Sequence, residues 1–387
     1  MGSKKWLSMI RREFLKTGLG LSFSSILGVS QAQTDEFDRY RQSQNQAFSD
    51  YKSDLEAAFK AYKQLNDRAF NQYKASISQR WSQVEVSSPK RWVTYDANLS
   101  HKLVIDYETG GVRIESVLPP SAEHRAEIEA MIKQINRSRF SDLVERDPVD
   151  QVLNQFTSQQ AAKFRQQDSP FNAIQTKVSR LPETLPKPQL VRQNQQPIVR
   201  YVIPLSIESL TKREQAYWQE VNNQANRWKI SPALIMAITR TESAFNPLAK
   251  SYVPAYGLMQ IVPRSAGMDA TQLIYGESRL VSPNYLYNPS NNLQMGSAYL
   301  HILEYRYFKE VRDPTARLYC VIAAYNTGPG NVARAITGST KLSPLYARVN
   351  TMTPSQVHDQ LMANLPYDET KNYLRKVLAA QADYQKA

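Results

Sequence analysis

The segment SPALIMAITRTESAFNP, residues 231–247, carries the strongest structural signal in this chain of 387 residues. Its opening Ser-Pro pair is typical of a helix N-cap and first turn, and the apolar run that follows predicts a helix. Leu234, Ile238 and Glu242 are spaced at i, i+4 and i+8, so they share one face of that helix. The pattern predicts a helix whose last turn carries an acidic side chain on its apolar face.

A glutamate on an apolar face is costly to bury unless it is paired or protonated. The helix is expected to end before Asn246-Pro247, and the negative end of its dipole also disfavours ionisation of Glu242. We therefore expect a raised pKa, which suits a group that donates a proton to a glycosidic oxygen. The ordinary alternative is a helix-end glutamate that is solvated or paired with Arg240, and on periodicity alone it is the more common case.

Three motifs in this half of the chain resemble the signature motifs of lytic transglycosylases with goose-lysozyme-like folds. They are ESAFN at 242–246, AYGLMQ at 255–260 and AYNTGPG at 324–330. Connecting segments at 288–293, 296–300 and 369–373 resemble the same family. The resemblance covers about residues 210–385. It implies an all-helical, lysozyme-like catalytic domain over 210–387, with Glu242 as the catalytic acid and base.

The resemblance also implies a set of substrate-binding residues. Gln260 offers a donor and an acceptor to amide or hydroxyl groups, and the hydroxyl of Tyr325 needs a partner if it is buried. Glu369 is expected to bind muramyl peptide. The full set is Ser243, Met259, Gln260, Tyr325, Asn326, Glu369 and Tyr373. Structural roles stay open beside these: packing for Met259 and Tyr325, and helix termini for Ser243 and Asn326.

The expected reaction follows from the number of carboxylates. Hydrolases that retain or invert configuration use a second carboxylate near the first, and the three motifs supply none. Asp269 and Glu277 follow the second motif, but nothing in the sequence brings them to Glu242. The resemblance implies non-hydrolytic cleavage of the β-1,4 bond between N-acetylmuramic acid and N-acetylglucosamine in peptidoglycan, which leaves 1,6-anhydromuramic ends. The alternatives are a goose-type lysozyme and a catalytically silent wall-binding protein, and intact catalytic motifs argue against the second.

The sequence pattern of residues 33–209 predicts an α+β domain. Aromatic pairs recur every eleven residues from Phe37/Tyr40 through Phe59/Tyr62 and Phe70/Tyr73 to Trp81/Val84, which predicts one long helix over 36–84 with an aromatic stripe. We expect this stripe to pack within the chain in preference to an outside partner. The rest of the domain is predicted as a hairpin at 103–107 and 112–115, charged helices within 119–165, a Pro-rich linker or irregular strand region at 168–204 and an added strand at 198–203. The motifs at 90–95 and 104–115 more narrowly resemble a membrane-bound, lipoprotein-like group of the same family.

Residues 1–32 predict a twin-arginine export signal. Arg11-Arg12 precedes an apolar stretch and a small-residue cleavage site at Ala32, and the stretch is too short to span a bilayer. We expect a periplasmic protein with peripheral contact to the wall or outer membrane, although no lipobox cysteine lies near the cleavage site. For the chain as a whole, the helical C-terminal domain and the α+β domain together predict a mainly α fold class.

The formal charge of +13 favours a polyanionic neighbour such as the cell wall, and no nucleic-acid motif accompanies it. Cys320 is the only cysteine, and the four histidines lack zinc-ligand spacing. We therefore expect peptidoglycan strands as the partner, and no metal, cofactor or nucleic acid. The sequence does not indicate an oligomeric state.

Overall fold

The computed structural model describes residues 59–138, 142–143, 146–153, 181, 184–203, 210–252 and 254–386, and the single positions 46, 53 and 57. The predicted export signal and the aromatic pairs before residue 59 lie outside the described residues. The predicted fold class is confirmed: the chain is mainly α, and a smaller α+β part precedes an all-helical part. Residues Ala57–Ala387 form one compact unit.

The α+β part contains an antiparallel sheet of five strands in the order β1-β2-β3-β5-β4. Its strands are β1 (Arg91–Tyr95), β2 (His101–Asp106), β3 (Gly111–Ser116), β4 (Gln189–Gln193) and β5 (Gln196–Ile203). The predicted hairpin is β2 and β3, with Leu103 opposite Ile114, and the predicted added strand is β5, which pairs with β3. The segment predicted as a Pro-rich linker or irregular strand contains β4, a regular strand that pairs with β5.

The aromatic helix, α1, is helical over 59–78 in the described residues and ends earlier than predicted. The backbone N–H groups of Arg80 and Trp81 both donate to the carbonyl of Ile77, which closes the last turn. Trp81 then leaves the helix because its indole is buried, and its Nε1 donates to the carbonyl of Leu99 at 2.7 Å. The helix prediction over 79–84 was therefore wrong.

The described part of the aromatic stripe packs within the chain. Phe59 and Tyr62 are buried against Val149 and Leu153, which belong to α3, a short helix over 148–153. Phe70 and Tyr73 farther along α1 are only half-buried. Helix α2 (Ala122–Arg137) covers the sheet through Ile128, Ile132 and Ile135.

The C-terminal part consists of helices joined by turns and loops, the longest of which lies between Ser243 and Met268. They are α4 (Leu210–Trp228), α5 (Pro232–Ser243), α6 (Met268–Tyr275), α7 (Pro283–Tyr287), α8 (Pro289–Ile302), α9 (Pro314–Thr327), α10 (Pro329–Thr337), α11 (Leu342–Val349), α12 (Pro354–Asn364) and α13 (Asp368–Lys386). Six of them begin with proline, whose fixed φ suits the first turn and whose missing N–H costs nothing there. In the part of the chain that the structure describes, no helix combines the length and apolar character needed to cross a membrane.

The sheet and the C-terminal helices share one continuous hydrophobic core. Leu103 and Ile114 of the sheet belong to the same buried cluster as Tyr217 and Val221 of α4. Arg213 on α4 donates to the carbonyl of Tyr107 at 2.7 Å and lies over its ring. This packing fixes the loops of the sheet beside the end of α5.

Candidate active site

Helix α5 positions Glu242 in its last turn, as the sequence predicts. Ala233 through Thr239 of this helix are buried, and they hold it inside the helical part of the protein. The helix ends at Ala244, whose φ of 49° is left-handed, and Phe245 follows with a φ of 61°. Two consecutive non-glycine residues in this region are strained, and such strain persists only where the surrounding structure holds it. Phe245 provides that hold, since its buried ring stacks on Tyr217 with 6.1 Å between centroids.

The pKa of Glu242 is raised to about 8. Burial is the largest cause, and the negative charge of Glu369 adds to it, whereas the hydroxyl of Tyr373 and the charge of Lys90 lower the pKa. The alternative pairing with Arg240 is wrong, because Arg240 lies 3.4 Å from Asp383. The carboxyl group is therefore protonated at neutral pH, and it is partly exposed to a cleft.

The Glu242 cleft has a volume of about 470 Å³ and is lined from both parts of the protein. The helical part contributes Thr241, Glu242, Asn326, Glu369, Asn372, Tyr373 and Lys376. The α+β part contributes Ser88, Pro89, Lys90, Arg91, Asp106 and Glu108. None of these α+β residues is among the predicted site residues, although Lys90 and Arg91 belong to the motif at 90–95. Asn246 connects the two walls by donating to the carbonyl of Pro89 at 3.0 Å.

Charged residues of the α+β wall are mostly paired with one another. Lys90 Nζ lies 2.6 Å from Glu108, and Arg91 Nε lies 3.6 Å from Asp106. Asp106 also accepts from the backbone N–H groups of Glu108 and Thr109. Glu108 and Asp106, two carboxylates that line the cleft, are therefore already paired within the protein.

Asn326, Glu369 and Tyr373 line the cleft with Glu242. Asn326 on α9 accepts a hydrogen bond of 2.7 Å from Thr370, which fixes α9 against α13. Glu369 is exposed, and Tyr373 lies one turn farther along α13. The buried hydroxyl of Tyr373 forms no hydrogen bond of standard geometry with a described residue, so it is available beside the Glu242 carboxyl.

The other predicted binding residues form the layer beneath the cleft. Ser243 is fully buried, and its hydroxyl lies 2.7 Å from the carbonyl of Leu258 and 3.1 Å from that of Thr239. Met259 is also fully buried, and its carbonyl accepts from the Tyr325 hydroxyl at 2.8 Å. These contacts join the three motifs, and they place Ser243, Met259 and Tyr325 in structural positions behind Glu242.

The second motif forms a tight turn that closes with mutual backbone hydrogen bonds between Tyr256 and Ile261. Gly257 has a φ of 74°, and a Cβ there would lie 2.3 Å from Asn292 and from the carbonyl of Leu286. Protein packing therefore requires a glycine at this position. Gln260 has a φ of 47°, and its buried Oε1 has no partner among the described residues. That atom is an acceptor available beside the motif.

Among the described residues, no group of three or more His, Cys, Asp or Glu side chains is arranged to hold a metal. Cys320 is buried, and burial raises the pKa of its thiol to about 12. The chemistry that the arrangement supports is proton transfer by Glu242.

The model of the Transglycosylase SLT domain family matches residues 219–345. A membrane-bound lytic murein transglycosylase C from Haemophilus influenzae (strain PittEE) is 30% identical over 302 residues, which cover 76% of this chain and 81% of the relative. The protein of the same name from Histophilus somni (strain 2336) is 36% identical over 192 residues, which cover 50% of this chain. That match spans about half, 52%, of the Histophilus relative.

A solved structure of an inactive variant of lytic transglycosylase Slt from Pseudomonas aeruginosa is 26% identical with a TM-score of 0.33, and the match covers 46% of this chain and 27% of that one. The sequence matches include the segment that carries Glu242 and the two following motifs, and the Haemophilus match extends over most of both chains. The chain belongs to the lytic transglycosylase family that includes the membrane-bound lytic murein transglycosylase C proteins.

Proposed function

We propose that this protein is a lytic murein transglycosylase. It would cleave the β-1,4 bond between N-acetylmuramic acid and N-acetylglucosamine in peptidoglycan without water and form 1,6-anhydromuramic ends. The observation that carries the proposal is Glu242, a carboxyl group at the end of a buried helix with its pKa raised to about 8, open to a cleft. The family relatives are named for activity on murein, which supports the substrate.

In the first step Glu242 donates its proton to the glycosidic oxygen as the bond between that oxygen and C1 of N-acetylmuramic acid breaks. The carbonyl of the sugar's N-acetyl group assists at C1. The N-acetylglucosamine side leaves with the new hydroxyl group, and Glu242 becomes a carboxylate. A raised pKa serves this step because it keeps the acid protonated at neutral pH.

In the second step the C6 hydroxyl of N-acetylmuramic acid bonds to C1 and closes the anhydro ring. Its proton passes to the Glu242 carboxylate, so the acid is regenerated and no water is consumed. Burial makes the carboxylate a stronger base than an ordinary glutamate, because burial disfavours the charged form. One residue with a pKa near the working pH can perform both proton transfers.

The residues around Glu242 have distinct proposed roles. Tyr373 offers its hydroxyl to the Glu242 carboxylate when that group is charged, and Asn326 offers an amide to the substrate. Glu369 is exposed at the rim, where it suits cationic or N–H groups of the peptide stem. Ser243, Met259 and Tyr325 hold the motif layer together through the contacts at Leu258 and Met259.

A hydrolase is the second candidate, because Glu369 shares the cleft and raises the pKa of Glu242. A goose-type lysozyme would use water and produce reducing ends. Digestion of purified sacculi in ¹⁸O-labelled water, followed by mass spectrometry, separates the two reactions. We expect anhydro ends without label, and labelled reducing ends would contradict the proposal.

The same digest with the Glu369→Gln variant tests the role of the second carboxylate. We expect slower cleavage of strands that carry peptide stems and unchanged product chemistry. A variant that loses all cleavage of denuded strands as well would indicate that Glu369 takes part in the reaction.

Export is proposed on the Arg11-Arg12 pair and on the membrane-bound relatives, and its residues lie outside the described structure. Replacement of both arginines by lysine should leave the precursor in the cytoplasm. Fractionation of cells that produce each version measures this. Normal export of the double-lysine version would contradict a twin-arginine route.

A further inference from the structure

Another pocket lies at the C-terminal end of α2, and no described residue lines both it and the Glu242 cleft. We call it the Arg137 pocket. Its volume is about 380 Å³, and its polar lining residues are Lys133, Gln134, Arg137, Ser138, Asp142 and Arg146. Neither the family motifs nor the proposed reaction uses these residues.

Three cations of the Arg137 pocket lack a matching carboxylate. Lys133 and Arg137 are four residues apart on α2, so they share one face of the helix, and Arg146 follows in the segment between α2 and α3. All three residues are exposed, and within the described part of the chain none of them forms an ion pair. Two like charges at this spacing destabilise a helix, and a bound anion removes that cost.

The first half of α2 treats its cation differently. Arg125 pairs with Glu129 at the same four-residue spacing, and its Nε lies 3.1 Å from the carboxylate. Glu129 also lies four residues before Lys133, but this pairing with Arg125 engages it. Residues 130–137 contain no acidic residue, so the two cations of the last turns are open to an anion from outside the chain.

The carbonyl groups at a helix C-terminus repel an anion, and Ser138 reduces that repulsion here. Its backbone N–H donates to the carbonyls of Gln134 and Ile135 at 3.1 Å each, and its hydroxyl donates to the carbonyl of Gln134 at 2.8 Å. Arg146 Nη1 lies 3.4 Å from the same hydroxyl, which keeps this guanidinium beside the end of α2. The Arg137 pocket therefore stays positive despite its place at a helix C-terminus.

The charge of the Arg137 pocket matches a phosphate group better than a carboxylate. Three cations and one carboxylate, Asp142, line it, so its formal charge is +2. A phosphate monoester carries a charge of about −1.5 to −2 at pH 7 and has three strong acceptor oxygens, one for each cation. A carboxylate has one charge and two oxygens, and a single arginine can satisfy both oxygens.

We infer that the Arg137 pocket is an anion-binding site for a terminal phosphate group, which is carried by a soluble ligand or by a lipid surface. Lys133, Arg137 and Arg146 bind the phosphate oxygens, and Gln134 adds the N–H donors of its amide. Asp142 lowers the affinity because its carboxylate repels the ligand. The site acts apart from the Glu242 cleft, so the inference goes beyond the proposed function.

Titration of the full chain with inorganic phosphate at pH 7 tests the inference. Isothermal titration calorimetry at constant ionic strength measures the affinity, and acetate is the comparison anion, which should bind far more weakly. Lys133→Met and Arg137→Met should each weaken phosphate binding by about three- to tenfold, the range for one charge-assisted contact near solvent. Asp142→Asn should tighten phosphate binding, an effect that damage to the fold would not produce.

Lys187→Met is the matched control, because Lys187 is an exposed lysine of the same α+β part that does not line the Arg137 pocket. It should bind phosphate as the wild type does, and thermal unfolding without phosphate checks that each variant folds. Equal affinity of Arg137→Met and Lys187→Met for phosphate overturns the site. Acetate that binds as tightly as phosphate also overturns it, because the pocket would then not select a phosphate group.

Sedimentation with vesicles of phosphatidylcholine, with and without phosphatidic acid, distinguishes the two sources of the phosphate group. Binding to phosphatidic acid vesicles that is lost in Lys133→Met/Arg137→Met assigns the phosphate to a lipid surface. Binding of free phosphate alone assigns it to a soluble ligand. If the wild type binds neither inorganic phosphate nor these vesicles, the inference is wrong. None of these measurements depends on cleavage of murein, so the outcome leaves the proposed function unaffected.

Discussion

Asp150 is a buried carboxyl group and Glu242 is a half-buried one that opens to the cleft; they lie in different parts of the molecule and differ in their partners. Burial raises the pKa of Glu242 to about 8 and that of Asp150 to about 6. Lys250 donates to Asp150 at 2.7 Å, and the hydroxyl of Tyr287 donates at 3.0 Å. Within the described part of the chain, Glu242 forms no ion pair.

The partners determine what each group can do. Asp150 stabilises the junction between α3 and the turn before the second motif, because its charge is matched by Lys250. Among the described residues Glu242 forms no ion pair with the cations that line its cleft, so it can gain and lose a proton during a reaction. Burial alone therefore does not identify a catalytic acid, and the absence of a compensating charge is the more informative feature.

The largest expected effect separates the two groups by activity. Glu242→Gln should lower turnover on sacculi by about 10³-fold or more, because general acid and base steps contribute about 10²–10⁴-fold. The amide keeps the shape of the side chain, so binding of glycan strands should remain. Release of soluble muropeptides measures turnover, and near-normal release would contradict the assignment of Glu242.

Asp150→Asn should affect stability more than activity. Among the described residues it leaves Asp147, at 3.5 Å, as the remaining ion-pair partner of the buried Lys250, and breaking a buried ion pair typically costs about 3–5 kcal/mol. We expect a loss of about 2–4 kcal/mol in the free energy of unfolding, since Asp147 compensates in part. Urea unfolding measures this, and activity per folded molecule should fall far less than in Glu242→Gln.

The double variant Asp150→Asn/Lys250→Met is the control for that prediction. It removes the uncompensated cation, so part of the lost free energy of unfolding should return. A double variant less stable than Asp150→Asn would show that the pair does not act through its charges.

Parts of this site could be predicted because their signals are local. The position of Glu242 at the end of α5 follows from helical spacing, and the hairpin of β2 and β3 follows from alternation around a Gly-Gly turn. The burial of Ser243 could not be predicted, because it depends on the carbonyl of Leu258 across a turn. The α+β wall of the cleft depends on packing between distant segments, which no local pattern records.

The segment of strand β4 could not be assigned from sequence between a linker and a strand, for a different reason. It pairs with β5 through a turn in which Asn194 and Gln195 have φ values of 47° and 69°. Two-residue hairpin turns with positive φ usually contain glycine, and this turn has none. Pro197 at the start of β5 and the preceding prolines also favoured a linker.

A smaller effect concerns thermal stability and its dependence on pH. The folded pKa of Glu242 lies above its ordinary value of 4.5, so between about pH 4.5 and 8 the folded protein binds a proton that the unfolded chain has lost. The free energy of unfolding of the wild type should therefore fall as the pH rises through this window. Glutamine does not ionise, so the Glu242→Gln variant does not lose stability in this way. Its Tm should exceed that of the wild type by a few degrees at pH 8, and the difference should shrink toward pH 4.5. A difference that does not vary with pH would contradict the raised pKa.

The smallest effect tests whether the α+β wall tunes Glu242. The first step needs protonated Glu242, so kcat/KM should fall as pH rises through about 8. Lys90 lowers this pKa, and Lys90→Met both removes its charge and leaves Glu108 without its partner at 2.6 Å, so the alkaline limb should move to higher pH. Glu369→Gln removes a charge that raises the pKa, so it should move the limb to lower pH. Each shift should be about 0.3–0.5 pH unit at low salt and smaller at high salt, as expected for charges near solvent.

Lys376→Met is the matched control for this pH series. Lys376 lines the same cleft and carries the same charge, but it does not contribute to the pKa of Glu242. The alkaline limb of the pH profile of Lys376→Met should therefore stay at the wild-type position, even if kcat/KM changes at all pH values. Equal shifts in Lys90→Met and Lys376→Met would mean that the net charge of the cleft sets the limb. In that case the α+β wall would contribute shape to the site without a specific electrostatic effect on its acid.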